Sequence, residues 1–255
     1  MPARQEPSHD LPPLFLPSSG THIGMPRGTL PLQGLTILTV EDSRFACDAL
    51  RLLCQRSGAR LRRAETIAAA RAHLKVYRPD VVIIDLGLPD GRGDSLIREL
   101  ALQSPRLSLV LGTSGDPDGR AAVLAAGAAG FLEKPLESLA AFQTALLRHL
   151  PDRAAMHAGP FPSDTPVSPD PMALRDDLAR AADLIAADPN PSPNLARYLA
   201  GFVSGLALVA HDTALGLAAR ECDEPLGLER LAGLLSSKLT KGSAPLIAPP
   251  STPAR

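Results

Sequence analysis

Residues 79–100 read PDVVIIDLGLPDGRGDSLIREL. Val81, Val82, Ile83 and Ile84 form a dense β-branched run that passes straight into Asp85. A strand with no polar face is buried on both sides, as strands of a parallel sheet are when helices cover it front and back. Glycines and a proline follow the acid, then Ser95–Gln103 takes up helical spacing. One strand, one acid at its carboxyl end and one helix make a βα unit. Open α/β sheets gather their chemistry at that edge.

The same unit repeats on either side. Leu35–Val40 is a short apolar strand, and Arg44–Ser57 sets Cys47, Leu50 and Cys54 on one helical face before Gly58 stops it. Leu61–Ala64 is a weaker strand, and Thr66–Tyr77 carries Ile67, Ala70 and Leu74 at helical spacing. Downstream come a strand over Ser108–Gly112, a helix over Gly119–Ala126 and a strand over Phe131–Glu133. A last helix is lined by Leu139, Phe142, Leu146 and Leu150. Five such units predict an α/β domain built on a five-stranded parallel, doubly wound sheet.

The strand ends collect an unusual set of side chains. The first runs into Glu41 and Asp42, the third into Asp85, the fourth into Thr113 and Ser114, the fifth into Lys134 and Pro135. Three crowded carboxylates repel one another unless a cation neutralises them. Hard oxygen ligands of this kind suit Mg²⁺, which keeps several waters and shares phosphate oxygens. A carboxylate beside a divalent metal and a lysine is the equipment of phosphoryl transfer, with the carboxylate itself able to act as acceptor.

The segments LTILTVEDSRF (35–45), PDVVIIDLGLPDGRGDSLIREL (79–100), LVLGTSG (109–115) and GAAGFLEKP (127–135) agree in order and spacing with one family. Residues 34–150 resemble the receiver domain of two-component response regulators, with its flavodoxin-like fold. The resemblance implies that Asp85 is the phosphoacceptor and that Asp42, Asp85 and the Gly87 carbonyl bind Mg²⁺ directly, with Glu41 acting through water. It implies that Thr113, with Ser114 as the alternative, donates its hydroxyl to the phosphoryl group, that Lys134 pairs with that group ahead of a cis proline, and that Phe131 is an aromatic switch. Such a domain is no enzyme in the usual sense. It takes its phosphoryl group from a sensor histidine kinase or a histidine phosphotransfer protein. Gly87 and Gly115, two residues after Asp85 and Thr113, leave the acyl phosphate without a flanking side chain.

Proline marks the limits of this domain. Residues 1–33 hold seven prolines, residues 34–150 hold five and residues 151–171 hold six. The expected organisation is a disordered arm over 1–33, the receiver over 34–150, a linker over 151–170, a helical region over 171–241 and a disordered tail over 242–255. Met25 is an alternative start. No secretory leader is legible, and the longest apolar run, Leu199 to Ala210, makes a helix of only ~18 Å against a ~30 Å hydrocarbon core. The three cysteines, Cys47, Cys54 and Cys222, lack metal-knuckle spacing and fit buried thiols in a reducing cytoplasm.

The C-terminal region reads as a small all-α module. Asp170-Pro171 starts a helix with Leu174, Leu178, Ala181 and Ile185 in one stripe, Asn194 to Glu221 reads as one long helix, and Leu228, Leu231 and Leu235 mark another. Gly201 and Gly205, four apart, permit close helix packing or a homodimer seam. A formal net charge of −1 and acidic residues outnumbering basic ones over 171–241 disfavour nucleic acid. The leading expectation is a phosphorylation-switched receiver acting on an unidentified downstream protein through this module. The alternatives are an Asp/His phosphorelay through His211 and a DNA-binding regulator.

Overall fold

A computed structural model of the chain describes residues 30–103, 109–116, 118–156, 166–222 and 225–240. Five strands form one sheet: β1 (Thr36–Val40), β2 (Arg60–Ala64), β3 (Val81–Asp85), β4 (Leu109–Ser114) and β5 (Gly130–Glu133). All pair in parallel in the order β2-β1-β3-β4-β5, the flavodoxin-like arrangement. The helices between them are α1 (Arg44–Ser57), α2 (Ile67–Val76), α3 (Gly93–Leu102), α4 (Gly119–Ala125) and α5 (Leu139–Leu147).

Strand alternation divides the core into two layers. Ile37, Val81 and Ile83 face α1 and α5, where Leu50, Leu53, Phe142 and Leu146 pack. Leu38, Val82 and Ile84 face the opposite side, against Ile67 of α2, Leu96 of α3 and Val123 of α4. Local signals fix the helix ends. The Ser43 hydroxyl accepts from Ala46 N, Thr66 caps α2, and Gly58 closes α1 at φ 84°. α3 begins at Gly93, two residues before the expected Ser95, because a Cβ at Gly93 would lie 1.9 Å from the Asp85 carbonyl oxygen. Only glycine lets this helix start so close to the end of β3.

The flanks depart from expectation in two places. Leu32, assigned to the arm, is fully buried against the α1–α5 layer, and its N–H bonds to Ser57 O. The start of the expected linker is helical, α6 (Pro151–Met156), and Val167 packs on the receiver core with its N–H on Glu137 O. The rest of the arm (1–29), the linker residues 157–165 and the tail from 241 lie outside the described residues.

The remaining helices are α7 (Pro171–Ala187), α8 (Pro193–Val209), α9 (Thr213–Arg220) and α10 (Pro225–Thr240). Both expected stripes are buried, Leu174–Leu178–Ala181–Ile185 and Leu228–Leu231–Leu235. The single helix expected over 194–221 is broken. His211 sits at φ 53°, and the Asp212 carboxylate accepts from Leu215 N to start α9 afresh. His211 therefore lies in a turn, not on an apolar helix. α7 packs on α1, and Phe45 of α1 is buried in the core of the helical module rather than that of the sheet. Among the described residues no helix is long and apolar enough to cross a membrane.

Candidate functional site

β1 and β3 are neighbours in register, so their carboxyl ends bring Glu41, Asp42 and Asp85 to one edge. One carboxylate oxygen of each lies within 4.8 Å of the others. Lys134, from the end of β5, places its ammonium 2.7 Å from Glu41 Oε2 and 3.0 Å from Asp85 Oδ2. Thr113 stands opposite Asp85 across the β3–β4 pairing. Its hydroxyl is buried without a hydrogen-bond partner, whereas the Ser114 hydroxyl accepts from Asp116 N. The Lys134–Pro135 peptide bond is cis. Phe131 is half-buried beside the α2–α4 core layer, with the Arg120 guanidinium 5.1 Å from its ring centre.

The site is nearly closed. Side-chain exposure is 1% at Glu41 and Asp42, 11% at Asp85 and 12% at Lys134. Burial pushes the Glu41 carboxyl up to about 8 and that of Asp42 up to about 6; the neighbouring carboxylates add to this, and Lys134 at both sites and Tyr198 and Arg180 at Asp42 oppose it. Burial works against the Lys134 ammonium too, but the charges of Asp85 and Glu41 outweigh it and hold the group above the ordinary lysine range. Lys134 and Arg180 together leave one of the three carboxylates unbalanced, so the pocket calls for a proton or a further cation. Asp42 Oδ1 is buried with no hydrogen-bond partner. An all-oxygen donor set with a bare carboxylate oxygen fits Mg²⁺.

The helical module supplies part of the enclosure, which the sequence reading missed. The Tyr198 hydroxyl donates to Asp42 Oδ2 at 2.5 Å, and Arg180 donates to the Asp42 carbonyl at 3.1 Å and reaches Oδ2 at 3.4 Å. Asp177 is buried and accepts from the Ser43 hydroxyl, Arg44 N and Phe45 N, so it caps α1 from another helix. α8 runs beside Gly87–Leu88, and Leu208 Cδ2 would stand 3.6 Å from a Cβ at Gly115. The space left by that glycine is thus bordered by a module side chain. One signal was available for Asp177: of the two acids between Leu174 and Leu178, it is the one that falls in line with the apolar stripe of α7. His211 contributes nothing to this pocket; its ring lies on an exposed face 4.0 Å from Glu137.

Residues 37–145 match the sequence model of the response regulator receiver domain. The chain is 36% identical over 116 residues to the KDP operon transcriptional regulatory protein KdpE of Escherichia coli K12, covering 44% of this chain and 52% of that protein. It is 33% identical over 117 residues to the virulence transcriptional regulatory protein PhoP of Shigella flexneri, covering 45% and 52%. It therefore spans about half the length of the curated relatives it matches. A putative response regulator from Chloroflexus aurantiacus, a solved structure, is 26% identical with a TM-score of 0.40, covering 48% of this chain and 98% of that one. The C-terminal region matches no family.

Proposed function

Because residues 37–145 form a response regulator receiver domain, we propose that the chain accepts a phosphoryl group on Asp85 from a sensor histidine kinase or a histidine phosphotransfer protein and relays the change to helices α7–α10. The observation that carries this reading is the gathering of Glu41, Asp42 and Asp85 around Lys134 at the carboxyl ends of β1, β3 and β5. An Asp85 oxygen attacks the phosphorus of a phosphohistidine. The O–P bond forms, the N–P bond breaks, and the released imidazole nitrogen takes up a proton. Lys134 and the Thr113 hydroxyl face the charge on the phosphoryl oxygens. Asp42, Asp85 and the Gly87 carbonyl would hold Mg²⁺, with Glu41 acting through a water. Bound there, the ion would supply positive charge opposite the transferred group. Phe131 is the side chain we assign to report phosphorylation at the far side of β5.

The output is a protein surface in this reading. The two relatives are named as transcriptional regulators, but the shared half is the receiver, and acidic residues outnumber basic ones in 171–241. The test is labelling by radioactive acetyl phosphate in Mg²⁺. The unmodified chain should incorporate close to one phosphoryl group and Asp85→Asn none. Stoichiometric label on Asp85→Asn would move the acceptor elsewhere.

A further inference from the structure

We propose that Tyr198, on helix α8 of the helical module, is a positioning residue of the phosphoacceptor site: it fixes the Asp42 carboxylate so that the free oxygen faces the cation position. The inference rests on the metal-site reading above and extends it to a residue 156 positions away in the chain. The two oxygens of Asp42 are treated unequally. Oδ2 takes the Tyr198 hydroxyl at 2.5 Å and lies 3.4 Å from the Arg180 guanidinium. Oδ1 is buried and bare, and one oxygen from each of Glu41, Asp42 and Asp85 falls in a common cluster. Gathering the module's donors on one oxygen stops the carboxylate from rotating and leaves the other as an available ligand. Outer partners of this kind orient ligating groups in metal sites.

Tyr198 is itself held in place. Its ring stacks on Phe202, one helical turn along α8, at 5.7 Å between centres and 27° between planes. The Arg180 guanidinium lies 5.4 Å from the centre of the Phe202 ring. Rings and guanidinium form one pile rooted in the module, so the hydroxyl arrives at Asp42 already oriented. Affinity at Asp42 and docking of α7 and α8 then support one another by the same factor, since linkage between two binding equilibria is reciprocal. The module would support the ion only through Asp42.

The test uses the full-length chain and Mg²⁺. Tyr198→Phe keeps the ring stack and removes only the donor. It should weaken Mg²⁺ binding, followed by calorimetry, by about 10-fold or more, the scale on which losing an outer partner weakens a metal site. The chain has two tyrosines and no tryptophan, so a near-ultraviolet difference spectrum isolates the phenol. Mg²⁺ draws charge from Asp42 and weakens its pull on the Tyr198 proton. The Mg²⁺-induced tyrosine signal should persist in Tyr77→Phe and vanish in Tyr198→Phe. Equal affinity in Tyr198→Phe, or a signal that follows Tyr77, overturns the proposal while the metal site stands. Tighter binding in Tyr198→Phe overturns it by showing that the phenol competes with the ion. No Mg²⁺ binding by the unmodified chain overturns the metal-site reading and this inference with it.

Discussion

Asp177→Ala tests how firmly the helical module is fastened to the receiver. The carboxylate is 1% exposed and accepts from the Ser43 hydroxyl at 2.8 Å and from Arg44 N and Phe45 N at 3.0 Å each. Those two amides belong to the first turn of α1, which has no intrahelical acceptors for them. A hydrogen bond to a charged group contributes about 1.5–3 kcal/mol net, and an acid at a helix N-terminus adds up to about 2 kcal/mol when partly buried. These terms overlap, so a total of about 3–5 kcal/mol is reasonable for an interface that stays shut. It need not stay shut: opening lets water reach the orphaned donors, so the loss is limited by the free energy of docking. At about 3 kcal/mol the docked-to-open ratio falls on the order of 100-fold. Amide hydrogen exchange reads this directly, as a comparable loss of protection at Arg44, Phe45 and along α7. Asp176→Ala is the internal control. Asp176 pairs with Arg44 at 2.9 Å, but the two side chains are 50% and 62% exposed, and such pairs contribute about 0–1 kcal/mol. Equal protection in Asp177→Ala and Asp176→Ala would refute the assignment of the docking energy to the buried cap.

Three further outcomes are expected. Glu41 and Asp42 have carboxyl pKa values raised to about 8 and about 6 in the folded chain, so folding takes up protons there. Their stabilising contribution is full below the ordinary carboxylate range and is lost as pH rises through about 6 and then about 8. Without divalent metal the denaturation midpoint should fall between pH 5 and pH 9, with Lys134 and Arg180 limiting the loss and excess Mg²⁺ flattening the curve. A rising midpoint would contradict this. Asp42→Ala should cost more Mg²⁺ affinity than Glu41→Ala, because the first is proposed as a direct ligand and the second as a partner through water; equal losses in a calorimetric titration would reverse that assignment. Gly87→Met should slow the loss of label from Asp85, since a Cβ there meets only Asp85 Oδ2, at 3.9 Å, and its φ lies outside the left-handed region. Faster loss with normal Mg²⁺ binding would mean that access of water does not set the rate.

The receiver was legible because its determinants are local. Val81 to Ile84 announce a strand buried on both faces, and Asp85 follows with no intervening residue. Ser43, Thr66 and Gly58 mark helix ends by chemistry that needs no tertiary contact. The enclosure of the site was not legible, because Tyr198, Arg180 and Asp177 act across 130 or more positions of chain. Nothing in the pattern around Tyr198 distinguishes a tyrosine on a core helix from one whose hydroxyl meets an acid on another domain. The break after Val209 was hidden for a different reason. The apolar run up to Ala210 suggested continuity, while Asp212 followed by Thr213 carried a capping signal that outweighed it.

Phe45 bears on how fragments of this chain behave. Its ring is 1% exposed only because the helical module surrounds it. A receiver severed after Leu150 would present that ring to solvent beside uncapped amides of α1 and an acid pocket stripped of its cover. Such a face is adhesive. Self-association of the severed receiver would then report the cut, and a dimer seen in that fragment would say nothing about how the intact chain assembles.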